Sequence, residues 1–127
     1  MAEVGGFPQR VETSTISGFP DIVWPILGNV LLIELKVSPD GKNALLEPTQ
    51  VAWHTRCFRH SKVRPLVFTW VSGESCIYVN TLKTVSPKCF RPDGLYRLNL
   101  LQNLICKVYK PFSFHDIVSL LLEATKS

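Results

Sequence analysis

The residues at 54, 57 and 60 form the cluster whose side chains are best suited to chemistry. They are His54, Cys57 and His60, each three positions from the next. Imidazole nitrogen and thiolate sulfur are donors that zinc prefers, but a structural zinc ion takes four of them in a tetrahedron. A fourth ligand would have to come from Cys76 or Cys89, and no second ligand pair follows at a matching spacing. We therefore expect no metal and no cofactor, with solvated histidines and a cysteine that packs as a small hydrophobic side chain.

Cys57 is also a candidate nucleophile, because Arg56 and Arg59 flank it and positive charge favours a thiolate. A catalytic cysteine needs in addition a base held by a third group and an oxyanion hole. The sequence has no motif for either of these, its carboxylates are scattered, and it has no glycine-rich phosphate loop. These observations predict a protein without catalytic residues, which is not an enzyme.

The stretch 53–64 combines positive charge with aromatic rings. Cationic side chains neutralise phosphates, and aromatic faces stack on unpaired bases. The stretch is therefore a candidate binding surface for RNA or DNA, although charged residues also protect the edge of a sheet from aggregation. The candidate binding residues are Trp53, Arg56, Phe58, Arg59, Lys62 and Arg64.

Charge is distributed unevenly along the 127 residues, whose formal net charge is +4. Residues 1–50 carry three basic and six acidic side chains, whereas residues 51–127 carry eleven basic and four acidic ones. A positive half of one small domain favours an anionic partner, either an acidic protein surface or a nucleic acid.

Aliphatic side chains are concentrated near residues 98–122, in the runs 98–105 and 120–122. They exceed what one face of a helix or strand can bury, and exposed apolar patches mark contacts with other subunits or partners. We expect a protein partner or self-association through this surface. The alternative is a well-filled core, which would use the same side chains inside one chain.

Together these features favour a small, basic, non-enzymatic interaction domain that acts as an oligomer or as a complex subunit contacting an acidic partner. The alternative is a nucleic-acid-binding protein that uses the stretch 53–64, and a steep loss of affinity with rising salt would distinguish it. Irregularly spaced cysteines and the lack of a secretory signal predict a cytoplasmic or nuclear protein. No apolar run reaches the roughly 20 residues of a membrane-spanning helix.

The strands and turns around these residues are predicted from hydrophobic periodicity and from turn-forming residues. Residues 30–37 alternate as a strand does, residues 38–42 read as a turn, and residues 43–53 can return as the second strand of a hairpin. The stretch 54–64 reads as a loop or irregular edge. A second hairpin is predicted from residues 66–71 to residues 76–80, because β-branched and aromatic residues dominate both arms.

The end of the chain is read in two parts. Residues 95–109 fit a strand in their first half and either a strand or a helix in their second half. Ser113 and Asp116 resemble a capping box, and an apolar stripe follows it, which predicts an amphipathic helix. The expected fold is α+β, with two β-hairpins in a mainly antiparallel sheet and the C-terminal amphipathic helix packed on it. Residues 1–20 would be a flexible arm, and residues 21–127 a single domain.

Overall fold

A computed structural model of the chain describes residues 9–10, 20–26, 29–61, 65–82 and 85–109. In this part of the chain a mixed sheet of six strands carries a helix and a small two-stranded sheet on one of its faces. The helix, α1, is Pro48–His60. The strands are β1 (Gln9–Arg10), β2 (Ile22–Ile26), β3 (Asn29–Val37), β4 (Asn43–Leu46), β5 (Leu66–Val71), β6 (Cys76–Asn80), β7 (Tyr96–Asn99) and β8 (Leu104–Tyr109).

The strand order in the large sheet is β1-β2-β3-β5-β6-β8. All neighbours are antiparallel except β3 and β5, which run parallel from Ile33 opposite Leu66 to Val37 opposite Trp70. A parallel pair needs a long crossover connection. Here β4 and α1 provide it, and β4 pairs with β7 in the second sheet. The helix therefore lies in the chain between the two parallel strands.

Apolar side chains fill both sides of the large sheet. On the helix side, Val67, Val71 and Tyr78 pack with Val51 of α1 and with residues of the β4–β7 sheet. On the other side a second cluster joins the central strands to β2; its buried members are Trp24, Leu31, Ile33, Leu66 and Val79. β3 contributes Leu31 and Ile33 to this cluster and is third in the order of six strands, so it lies near the centre of the sheet.

The predicted first hairpin is wrong. Residues 43–46 form β4, but it pairs with β7, whereas β3 pairs with β2 and β5. Residues 48–60, expected as strand and loop, form α1. Pro48 stands at the first helical position, where a proline has no hydrogen bond to lose and its fixed φ suits the helix. Gln50 Oε1 accepts the backbone N–H of Glu47 at 2.9 Å and so caps the helix start.

The second hairpin is present, with β5 and β6 joined by a short 3-10 turn at Ser72–Glu74. Its left-handed residue is Ser75, with φ 50°. The region 95–109 forms two strands, β7 and β8. The sequence leaves its second half open between strand and helix, and it is a strand. The turn between them places Asn103 at φ 53°. Asparagine tolerates this backbone conformation better than most residues.

The predicted position of the helix is also wrong. The helix of the described residues lies in the middle of the chain, and the parallel pair makes the large sheet mixed. The chain is still of the α+β class. The predicted C-terminal helix falls in residues 110–127, which lie outside the described part. Of the arm predicted over 1–20, Gln9–Arg10 pairs with β2, and the boundary at residue 20 remains a prediction.

The aliphatic excess near 98–122 is partly absorbed by the core. Leu98 and Leu100 are buried beneath the β4–β7 sheet, whereas the Leu101 side chain is 69% exposed. The remainder of that surface, residues 110–122, lies outside the described part. No helix among the described residues is long and apolar enough to cross a membrane.

Candidate active site

Two acids, a lysine and a glutamine converge where β2, β3 and α1 meet. Asp21 directly precedes β2, and the pairing of Ile22 with Ile33 brings it beside Glu34. Glu34 and Lys36 alternate along β3 and so lie on the same face of the sheet. Gln50 lies in the first turn of α1 and reaches this face from above. The site is thus assembled from β2, β3 and the crossover helix.

Hydrogen bonds fix the two acids in place. Asp21 Oδ2 accepts the backbone N–H of Leu35 at 2.9 Å, which ties the residue to β3. Glu34 Oε2 accepts a hydrogen bond from Gln50 Nε2, also at 2.9 Å. The other oxygen, Glu34 Oε1, is buried and no donor of the described residues reaches it. As a carboxylate, Glu34 would therefore accept a hydrogen bond at only one of its two oxygens.

Glu34 is 2% exposed, and its environment disfavours the charged form. Burial, followed by the hydrogen bond with Asp21 and by the negative charges of Asp21 and Glu47, raises the pKa of Glu34 to about 8, against the opposing charge of Lys36. A carboxyl with this pKa keeps its proton at neutral pH and can donate it to Asp21.

A buried histidine lies beside this group. His54 follows Gln50 by about one helical turn, its side chain is 1% exposed, and neither ring nitrogen has a hydrogen-bond partner among the described residues. Burial, together with the positive charge of Lys36, lowers the pKa of His54 to about 4. The imidazole is therefore neutral at physiological pH and leaves Lys36 as the positive charge of the site.

The donor set fits a magnesium-type cation better than zinc. No group of three or more His, Cys, Asp or Glu side chains with metal-binding geometry occurs in the described ranges. Magnesium, however, is usually held by one or two carboxylates, with water and substrate phosphate completing its shell. Asp21 and Glu34 supply that number, and Glu34 Oε1 is an oxygen without a donor. A divalent cation bound here would take the place of the proton on Glu34.

Four of the six residues predicted to bind nucleic acid lie on α1 rather than on a loop. Arg56 and Arg59 are exposed, and Trp53 and Phe58 are half-buried. Lys62 and Arg64 lie outside the described residues. Val51, Thr55, Phe58 and Arg59 line one flank of the helix, where they face Val85 across an open groove of about 420 Å³.

The predicted cluster of His54, Cys57 and His60 is dispersed around α1. His54 is buried next to the acids, whereas His60 is exposed in the last turn of the helix. Burial raises the pKa of the Cys57 thiol, which is the opposite of what an activated nucleophile needs. These side chains are not brought together into one site.

Sequence reasoning misses Asp21, Glu34, Lys36 and Gln50. Glu34 and Lys36 fit the polar face of a half-exposed strand, because polar residues alternating with apolar ones commonly face solvent. The available signal is a Glu-x-Lys pair within the long apolar run of β3, preceded by Asp21 next to a strand. The charges stand at positions that face the packed helix, which an alternation pattern alone does not disclose.

Comparison with known proteins finds a likeness in fold. No family model and no curated protein matches the sequence. A solved structure that is similar is that of Archaeoglobus fulgidus Hjc, a Holliday junction resolvase from an archaeal hyperthermophile, with a TM-score of 0.51 and 18% sequence identity over 77% of this chain and 78% of that one. At this identity the match establishes a shared α+β fold.

The prediction that the chain is not an enzyme is contradicted by these findings. The similar fold belongs to a resolvase. The described residues also place two carboxyls, a lysine and a buried histidine around one point of the sheet. Two of these groups, Glu34 and His54, have strongly shifted pKa values, and residues with such shifts are typical of functional sites. Two of the carboxylates that the sequence presents as scattered, Asp21 and Glu34, are brought together by the fold.

Proposed function

We propose that this chain is a divalent-metal-dependent nuclease that hydrolyses phosphodiester bonds of DNA. The observation that carries the proposal is the pair Asp21 and Glu34 with Lys36 on the same strand face. The fold shared with a Holliday junction resolvase supports DNA as the substrate class. Nucleic-acid binding, the alternative drawn from the sequence, is part of this function.

The two acids would hold the cation. A bound divalent cation polarises a phosphoryl oxygen and lowers the pKa of a coordinated water. Asp21 is kept in place by the backbone N–H of Leu35, and Glu34 by the amide of Gln50. Both acids are thus held by groups of other residues, but Glu34 Oε1 is buried, so neighbouring side chains would have to shift for a cation to reach it.

Lys36 supplies the remaining positive charge. It lies two residues beyond Glu34 on the same face of β3, and the neutral His54 beside it does not compete for phosphate. In hydrolysis a water oxygen forms a bond to phosphorus, the ester P–O bond breaks, and the leaving alcohol takes up a proton. An ammonium next to the phosphate stabilises the negative charge that develops on its oxygens.

The test is cleavage of labelled single-stranded, duplex and four-way-junction DNA in magnesium buffer. We expect Glu34→Gln and Asp21→Asn each to lower the cleavage rate by about 100-fold or more. Asp93→Asn is the matched control, since Asp93 is an exposed acid paired with Arg91 in a distant turn. Cleavage by Glu34→Gln at the wild-type rate would overturn the proposal. If the chain cleaved RNA but not DNA, the assignment of DNA as the substrate would be wrong.

Three further interpretations stay predictions that no finding tests. They are an acidic protein partner, self-association through the apolar surface near 98–122, and a cytoplasmic or nuclear location. Each has a direct measurement: co-purification, the mass in solution, and imaging of the tagged chain. None of them conflicts with a nuclease, because Glu34 lies on β3 beneath Gln50, whereas Arg56 and Arg59 are exposed on α1.

A further inference from the structure

The first turn of α1 is joined to Glu34 by the side chain of Gln50. Its Nε2 group donates to Glu34 Oε2 at 2.9 Å, and its Oε1 accepts the backbone N–H of Glu47 at 2.9 Å. Both ends of one amide are therefore occupied, one by the acid on β3 and the other by the residue that precedes the helix. This arrangement holds the Gln50 side chain over the carboxyl group.

The backbone around Gln50 is fixed by its neighbours. Glu47 alone separates β4 from α1, and Leu46 at the end of β4 is fully buried. Val51, which follows Gln50, is buried in the core between the helix and the sheet. The first turn of the helix therefore cannot move off the sheet without breaking this packing. The Gln50 side chain itself is half-buried, and rotation about its own bonds can carry it toward solvent.

Glu34 cannot take a cation while the amide stays in place. Its side chain is 2% exposed, its Oε2 already accepts a hydrogen bond from Gln50, and its Oε1 is buried. Asp21, by contrast, is half-buried, and its Oδ2 is held by the backbone N–H of Leu35. A cation that reaches Asp21 from solvent therefore gains Glu34 as a second ligand only when Gln50 withdraws. Rotation of this one side chain uncovers Glu34 Oε2 and leaves the backbone unchanged.

Gln50 is placed to compete with the cation rather than to bind it. Divalent cations such as magnesium bind oxygen atoms. The amide, however, presents its NH₂ group and not its oxygen to Glu34. Reversing the amide would place that NH₂ group against the backbone N–H of Glu47, so that two donors would face each other. Displacement of the side chain costs the two hydrogen bonds of the amide, although the exposed Glu47 can then donate its N–H to water.

We propose that a divalent cation and Gln50 compete for Glu34, so that Gln50 sets how tightly the site binds the cation. The cation takes the place of the amide on Oε2, and Gln50 turns toward solvent. This inference rests on the proposed nuclease function and adds the residue that limits the binding of its cation. One hydrogen bond of ordinary net strength makes the arrangement without the amide on Glu34 about tenfold less populated. The apparent affinity for the cation falls by the same factor, because only that arrangement binds it.

The first experiment follows the side-chain amides by ¹⁵N NMR while magnesium is added to the full chain without DNA. Gln102, exposed in the turn between β7 and β8, serves as the control in the same spectrum. We expect the NH₂ signal of Gln50 to shift and to exchange faster with water as magnesium binds, and that of Gln102 to stay unchanged. The inference is overturned if magnesium raises the melting temperature while the Gln50 signal does not change.

The second experiment measures magnesium affinity by calorimetry at one pH, again without DNA. Gln50→Ala should bind magnesium about tenfold more tightly than the wild type, although its fold is less stable when no magnesium is added. Gln50→Met has no amide but fills the same space, so it should also bind more tightly, and it decides the question if Gln50→Ala does not fold. Thr49→Ala changes the exposed preceding residue of the same turn and is the matched control, with an affinity equal to that of the wild type. An affinity of both Gln50 variants that is equal to or weaker than that of the wild type would refute the competition.

The two proposals can fail separately. Magnesium that displaces Gln50 in a chain that cleaves no DNA would refute the nuclease and keep the competition. Cleavage that requires Asp21 and Glu34, while magnesium leaves the Gln50 signal unchanged and binds the Gln50 variants no more tightly, would do the reverse.

Discussion

Glu34→Gln should stabilise the metal-free fold while abolishing activity. At neutral pH the wild-type chain must keep a proton on Glu34 that the unfolded chain releases, because the pKa is about 8 in the fold and 4.5 outside it. Glutamine is neutral at every pH. Its oxygen can accept the hydrogen bond from Gln50, and its NH₂ group can donate to Asp21, so both contacts of the protonated acid are preserved.

The sign and size follow from linkage. A pKa raised by folding contributes stability that is complete below pH 4.5 and is lost as the pH rises to about 8. Each pH unit within this window costs about 1.4 kcal/mol. At pH 7 the loss of stability approaches about 3 kcal/mol, and relaxation of the fold around a charged carboxylate reduces it. We therefore expect the free energy of unfolding of Glu34→Gln to exceed that of the wild type by about 1–3 kcal/mol.

The assay is urea unfolding of both proteins from pH 5 to pH 8 in EDTA. The stability difference should be small at pH 5 and grow steadily toward pH 8, and the titration of His54, common to both proteins, cancels in it. Added magnesium should stabilise the wild type, because a cation bound only by the fold adds its binding free energy, and should leave the variant unchanged. A difference that does not vary with pH, or a variant that is less stable throughout, would refute the reasoning.

Three other outcomes follow from the same structure. Burial lowers the pKa of His54 to about 4, so the stability contributed by its neutral form is complete above pH 6.5 and is lost as the pH falls. His54→Leu should therefore flatten the acid limb of a plot of urea midpoint against pH. The free energy of unfolding should differ from that of the wild type by up to about 3 kcal/mol at pH 4. Lys36→Ala should lower the rate constant for cleavage about 100-fold while magnesium still raises the melting temperature, and loss of both would instead indicate misfolding. Asn80 is buried and donates from Nδ2 to the carbonyls of Leu100 and Gln102, so Asn80→Ala should cost about 2 kcal/mol in calorimetry, and an unchanged melting temperature would contradict this role.

Local patterns predict the elements whose partners are close in sequence. The β5–β6 hairpin follows from two β-branched, aromatic arms around a short turn. The predicted first hairpin is wrong because β3 takes its partners from residues 22–26 and 66–71, and no local signal specifies the second of these. The helix escapes prediction because Pro48 interrupts a strand pattern, although the same residue is well suited to start a helix.

The candidate site is harder to predict than the elements. Its residues are ordinary polar types at unremarkable spacings, and their meaning depends on burial. Glu34 becomes a perturbed acid only because β2 and α1 close over it, which the hydropathy of β3 does not encode. Basic and aromatic residues of 53–64 are recognisable because net charge and ring type are visible in the sequence itself.

The position of β3 between β2 and β5 has a consequence for the chain before it is folded. Until residues 66–71 arrive, β3 is a long apolar strand with one open edge, which is a template for pairing with another copy. In that state Glu34 is exposed to water and charged, and Lys36 is charged beside it, so the two residues interrupt the apolar run and oppose aggregation. We therefore expect the charge of Glu34, which the fold later removes, to protect the chain during synthesis. The Glu34→Gln variant, more stable once folded, should aggregate faster while it folds.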